Sequence, residues 1–272
     1  MPTRRRTLLR MSAVAACAAA PALARAAQPR SLDDPFRLAV DQALAESGLA
    51  SRLQRRFGRD TGVAIRLLPG PARDLLAELE RGEHDGALLN TPQAEVELER
   101  LGLLHDRRQI ATVDFLIVGP TALRPGLDAL AVRANVAPAL SGLAHVGATF
   151  IGAPEGSGTR ELESDLWRAA RVAPQPSWYR TPAPGQHALA AARASLACCL
   201  IERGVWAATP SATHHKDFGV LVEGDPLLRV QVHAMRSFRV DHPAGKLFMG
   251  WLSSRAARQA IATLPAYHSV SP

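Results

Sequence analysis

Phe150-Ile151-Gly152-Ala153-Pro154-Glu155-Gly156-Ser157-Gly158-Thr159-Arg160, running straight into the helical pattern of Glu161 to Arg171, reads as a strand, a glycine loop and a helix N-terminus. Gly156 and Gly158 let the backbone turn tightly, Ser157 and Thr159 supply hydroxyls or an N-cap, and the first helical turn adds unpaired donors and the positive end of the dipole. Such a corner can hold an anion, or it can be a capped helix start and nothing more. A strand that turns directly into a helix is also the building unit of an α/β sheet.

The same unit recurs on both sides. Leu49, Leu53 and Phe57 share a helical face, and Val63 to Leu68 reads as a strand ended by Pro69-Gly70. A helix from Ala72 to Arg81, a strand Gly86 to Leu89, a helix from Pro92 to Leu101 and a strand Val113 to Val118 follow. The Trp167 helix, a helix from Gln186 to Arg193, strands near Val220 to Val222 and Val230 to Met235, and helices near Gly245 to Ser254 and Arg255 to Thr263 complete the pattern. There is no internal repeat. The fold expected is α/β with two lobes, residues 31–118 plus 218–272 forming the first and 119–217 the second.

Thr3-Arg4-Arg5-Arg6-Thr7-Leu8-Leu9-Arg10 is a basic start, followed by an apolar, alanine-rich run from Met11 to Ala24 and small-residue cleavage sites at Ala22-Leu23-Ala24 and Ala24-Arg25-Ala26. Residues 1–26 therefore read as an export signal, of the Sec or the twin-arginine type. The expected destination is the periplasm, with lipid attachment at Cys17 as the alternative processing route. Removing the five arginines of this segment lowers the net charge from +7 to +2, so the basicity belongs to targeting and gives no case for nucleic acid or a membrane surface. Roughly 245 residues remain, enough for one large or two medium cores. Cys198 and Cys199 are the only other thiols; as sequence neighbours in an apolar strand they read as small buried hydrophobes and not a disulfide framework.

Seven segments, in order, then carry a family resemblance: Arg37-Leu38-Ala39, Ser47-Gly48-Leu49, Asp114 to Pro120, Ser157-Gly158-Thr159, Leu166-Trp167, Trp178-Tyr179 and Val222-Glu223-Gly224-Asp225-Pro226. From about Phe36 to Leu264 the chain is similar to the tungstate-binding proteins of bacterial ABC importers, within the wider periplasmic binding protein group. That resemblance implies a type II-like two-lobed fold closing over a small solute, a permease in the inner membrane as partner, a monomer, no cofactor and no enzymatic activity.

The departures lie where that family holds its ligand. Its Thr-Thr-Thr-Ser run stands here as Val40-Asp41-Gln42-Ala43, and its Ser-Arg-Gly-Asp as Gly152-Ala153-Pro154-Glu155. Its Ser-Gly-Thr-His ends in Arg160, its Gln-Gly-Met is replaced by Pro184-Gly185-Gln186-His187, and its Asp-Arg-Gly-Thr-Tyr by Glu202-Arg203-Gly204-Val205-Trp206. The residues expected at the ligand are Asp41, Gln42, Ser157, Gly158, Thr159, Arg160 and Gln186. Asp41 is either a ligand contact or a helix-capping or surface carboxylate. Arg160 either neutralises it or takes a ligand carboxylate while Asp41 takes an amine. The ligand expected is anionic or zwitterionic, not a tetrahedral dianion; a sensor or accessory subunit is the alternative role. A secreted hydrolase is the least favoured reading, since Glu155 stands where a Gly-x-Ser-x-Gly elbow needs glycine and Glu155, His187 and His214-His215 lack triad spacing; adjacent His214-His215 do not share a helix face as a metal pair would.

Overall fold

The computed structural model describes residues 31–129, 133–183, 186–209 and 216–270. The export signal, Cys17, Pro184-Gly185 and His214-His215 lie outside the described residues. In chain order the elements are β1 (Phe36–Asp41), α1 (Gln42–Glu46), α2 (Leu49–Thr61), β2 (Ile65–Gly70), α3 (Ala72–Arg81), β3 (Gly86–Leu89), α4 (Pro92–Arg100) and β4 (Leu104–Pro120). Then come α5 (Arg124–Ala129), α6 (Val136–His145), β5 (Phe150–Ile151), α7 (Gly158–Ala169), β6 (Tyr179–Arg180), α8 (Ala188–Ala194), β7 (Cys198–Glu202) and α9 (Arg203–Ala208). The chain ends with β8 (Phe218–Val222), β9 (Arg229–Ser237), α10 (Pro243–Leu252), α11 (Arg255–Ala262) and β10 (Tyr267–Ser269).

The strand order β2-β1-β3-β9-β4-β7-β5-β6 explains how two halves share one chain path. Parallel pairs β2/β1 and β1/β3 build the first half, with β9 antiparallel to β3. β4 is the common strand: Leu104 to Asp114 pairs with β9, whereas Phe115 to Pro120 pairs with β7 and β8 in the second half. The sequence pattern places this strand at Val113 to Val118, but it starts at Leu104. The polar run His105-Asp106-Arg107-Arg108-Gln109 hides the extension, because register shifts there, with Asp106 at a positive φ of 55°, break strict alternation.

Local chemistry sets the helix limits. Leu49, Leu53 and Phe57 are fully buried on one face of α2, and Gly62 at φ 77° ends it in the left-handed conformation that glycine adopts without steric cost. α3 begins after Pro71 and stops at Gly82, as its pattern predicts. β2 runs on through Pro69-Gly70, which the sequence reads as a stop; an edge strand tolerates proline because its outer amide has no partner to lose. Phe36, Phe57, Phe248 and Trp251 form a chain of ring contacts 5.2–5.5 Å apart that fastens α2 and α10 to β1.

In the second half, Phe150, Trp167, Trp178 and Tyr179 pack together and fix α7 against β5 and β6. Cys198 and Cys199 are buried free thiols on β7, and burial pushes the Cys198 thiol up to about 12. No helix among the described residues is long and apolar enough to cross a membrane.

Candidate functional site

Parallel pairing of β1 with β3, Val40 opposite Leu88, brings Asp41 and Asn90 to the same carboxyl edge of the first half. Strand ends of this kind are where open α/β sheets place ligands. Facing them is the amino end of α7. Ser157 is its N-cap: Oγ accepts from the Arg160 amide at 3.1 Å and donates to the Pro154 carbonyl at 2.7 Å. The hydroxyl is thus used locally, as a helix cap.

The decisive contact crosses between the halves. Asp41 is fully buried, its Oδ1 accepting from the Ala43 amide at 3.0 Å and its Oδ2 from the Gly158 amide at 3.2 Å. It therefore caps α1 and, from the opposite half, occupies the first free donor of α7, where an external anion would bind. Burial, opposed by those two amides and reinforced by the Glu46 charge, raises its pKa to about 6. Among the described residues Asp41 has no cationic partner. Arg160 in particular does not neutralise it: its guanidinium pairs with Glu155 at 2.9 Å and Glu163 at 3.3 Å and lies 5.4 Å from the Tyr179 ring centre.

Of the other expected residues, Thr159 is buried beside Gly158, whereas Gln42 is exposed and donates to Glu46 at 2.7 Å. Gln186 is also exposed, and its Oε1 accepts from the Ala183 amide at 3.4 Å in a local turn. Asp41, Ser157, Gly158 and Thr159 are brought together, whereas Gln42 and Gln186 bond locally to Glu46 and Ala183. Arg160 instead reaches the wall of an open cleft of about 810 Å³, with Arg73, Glu80, Glu155, Ser157 and Arg168.

Asn90 lies outside every motif quoted from the sequence, whereas Gly158 and Glu202 lie within quoted segments and take a further role at this junction. Asn90 is 2% exposed, and neither Nδ2 nor Oδ1 has a hydrogen-bond partner. A Cβ on Gly158 would stand 2.0 Å from Asn90 Oδ1, so glycine is required there by close approach. Gly158→Ala is expected to destabilise the protein by about 1–3 kcal/mol in urea unfolding, because the amide side chain must be driven out of a packed site; an unchanged midpoint would show that the halves do not meet this way. Glu202, at the end of β7, accepts from the Tyr267 hydroxyl, which also lies 2.5 Å from Ser47 Oγ. Its Oε2 is buried without a partner, and burial raises its pKa to about 8, with the Asp41 charge adding to the shift. For Asn90 the hint in the sequence is its place directly after the apolar strand Gly86 to Leu89.

Further contacts hold the halves shut around this point. The Arg73 amide donates to the Gly156 carbonyl at 2.9 Å, Gln93 Nε2 to Asp165 Oδ2 at 3.1 Å, and His187 Nδ1 lies 3.1 Å from Glu46 Oε1. Behind the Gln93–Asp165 bond is a cavity of about 260 Å³, lined by Asn90, Gln93, Glu161, Asp165, Arg229 and Gln231 among others. No group of three or more metal-ligating side chains occurs among the described residues.

Comparison with known proteins gives this geometry its context. No protein-family model matches the chain. It is 25% identical to an ABC transporter anion-binding protein of Haloferax volcanii over 240 residues, 84% of this chain and 68% of that one. It is 25% identical to the tungstate-binding protein TupA of Peptoclostridium acidaminophilum over 236 residues, 82% and 79% of the two chains. Among solved structures it is similar to the tungstate ABC transporter protein of Geobacter sulfurreducens, with a TM-score of 0.74 and 25% identity over 85% of this chain and 98% of the other. The resemblance read from the seven sequence segments thus extends to chain-wide similarity and to the two-lobed α/β fold.

Proposed function

We propose that the protein is the exported solute-binding component of an ABC importer, working in the periplasm with an inner-membrane permease. Its ligand is a small anionic or zwitterionic solute taken up between the lobes. The similarity to anion- and tungstate-binding proteins supports the receptor role. For the lobes we retain 31–118 with 218–272 against 119–217, except that β8 goes with the second, since its backbone pairs with Ile117 to Pro120.

One observation carries the change of ligand: the Asp41 carboxylate bonded to the Gly158 amide across the closed cleft. The donor a bound oxyanion needs is already taken by an anion of the chain, and the family's cationic loop position is Ala153. The loop backbone at Ala153 serves an internal carboxylate as well, its amide donating to Glu163 at 2.7 Å. Tungstate and molybdate are therefore expected to bind more weakly than about 10 μM, where ΔG° falls short of roughly −7 kcal/mol. Calorimetry on the protein lacking its export signal tests this, and nanomolar tungstate binding would overturn the reading.

A further inference from the structure

We infer that the base of the cleft recognises a protonated amine: the ligand is a small zwitterion whose ammonium is held by Asp41 and Asn90 while its carboxylate takes the amino end of α7. This rests on the solute-receptor reading and narrows its ligand.

The argument is one of unfilled valences. Asn90 is almost wholly buried with an acceptor and two donors unused, a cost that native interiors avoid unless something else completes the group. Its Oδ1 is aimed at Gly158, so the open valence points to the seam where the lobes meet and not into a core. Beside it Asp41 uses one acceptor position on each oxygen and keeps another on each. Glu202 Oε2 is likewise buried and unpaired, and neither carboxyl has an arginine, lysine or histidine partner among the described residues. Burial therefore acts on the Asp41 carboxylate with no cation to balance it. A dianion would worsen that imbalance, and a simple carboxylate would leave it in place. An ammonium supplies three donors and the missing positive charge.

A zwitterion also resolves how the closed contact gives way to ligand. In the closed structure Asp41 holds the Gly158 amide. On binding, the ligand carboxylate takes that amide and the ligand ammonium takes Asp41, so one charge-assisted contact is exchanged for two and the dipole end of α7 keeps an anion throughout. A cavity of about 260 Å³ that Asn90, Gln93 and Gln231 help to line offers room for the rest of a solute of amino-acid size.

The test is calorimetry on the protein without its export signal, using glycine, L-alanine, L-glutamate, L-lysine and γ-aminobutyrate. Each is paired with the acid lacking its amines (acetate, propionate, glutarate, hexanoate and butyrate), and tungstate is run alongside. At least one amino acid is expected to bind about a hundredfold tighter than its partner acid, and Asn90→Ala to weaken that binding about tenfold or more with the thermal midpoint kept. If the partner acids or tungstate bind as well as the amino acids, or if Asn90→Ala leaves amino-acid affinity unchanged, the inference falls and the receptor reading stands. If no probe binds, the inference falls and the receptor reading stands on its own test.

Discussion

Asp41→Ala should raise tungstate affinity by about two orders of magnitude or more over the unmodified chain. A unit charge about 5 Å from the carboxylate at an effective dielectric of ~20 is repelled by roughly 3 kcal/mol, and a dianion by about twice that. Removal of the side chain also frees the Ala43 and Gly158 amides, the two donors it now occupies, for an external oxyanion. Against this stands the lost cap on α1, a cost of about 1 kcal/mol in stability, and the loss of one contact between the lobes. The repulsive effect is the larger by several-fold, so the sign is set by charge. Asp41→Asn provides the control: it keeps a side-chain oxygen for the cap while deleting the charge, and should show most of the gain. Calorimetry with tungstate on all three proteins checks the result; equal weak binding by all three would show that the carboxylate is not what excludes the anion.

The second large effect concerns pH. Burial lifts Glu202 to about 8, Glu163 to about 7 and Asp41 to about 6, each above the value of an unfolded carboxyl near 4. From about pH 4 up to these values the native chain holds protons that the unfolded chain has released, so stability falls as pH rises through that window. The stabilisation is fully present below about pH 4 and is lost stepwise by about pH 8. For the three groups together the loss is on the order of several kcal/mol. The depressed carboxylates, Asp60, Glu83 and Glu97, act in the opposite sense only at acid pH, and they lie in solvent where screening leaves little. Urea unfolding should therefore give a clearly higher midpoint at pH 5.5 than at pH 8.5. Glu202→Gln should flatten the upper part of that slope, since a neutral amide keeps a partner for Tyr267 without a proton to lose. A midpoint that is level from pH 5.5 to 8.5 would refute the account.

The two effects share the buried carboxyls Asp41 and Glu202, neither of which has a cationic partner among the described residues. At the helix start the Gly158 amide donates to a carboxylate delivered from the other half of the chain.

Sequence periodicity alone determined the α/β alternation, since buried faces repeat at 3.6 in α2 and α3 and apolar runs mark β3 and β9. The Ser157 cap was legible too, because a cap is made within four residues of chain. Strand limits were less so: β4 contains the polar stretch His105 to Gln109, which only pairing with β9 holds extended. Whether Asp41 was a cap, a ligand contact or the partner of Arg160 was undecidable from the chain, since capping is local whereas the bond to Gly158 spans 117 positions. Arg160 was captured instead by Glu155 and Glu163, acids five and three residues away that cost little chain entropy to reach. Asn90 and Glu202 gained their meaning solely from burial, because an unpaired polar atom exists only once the lobes have closed water out.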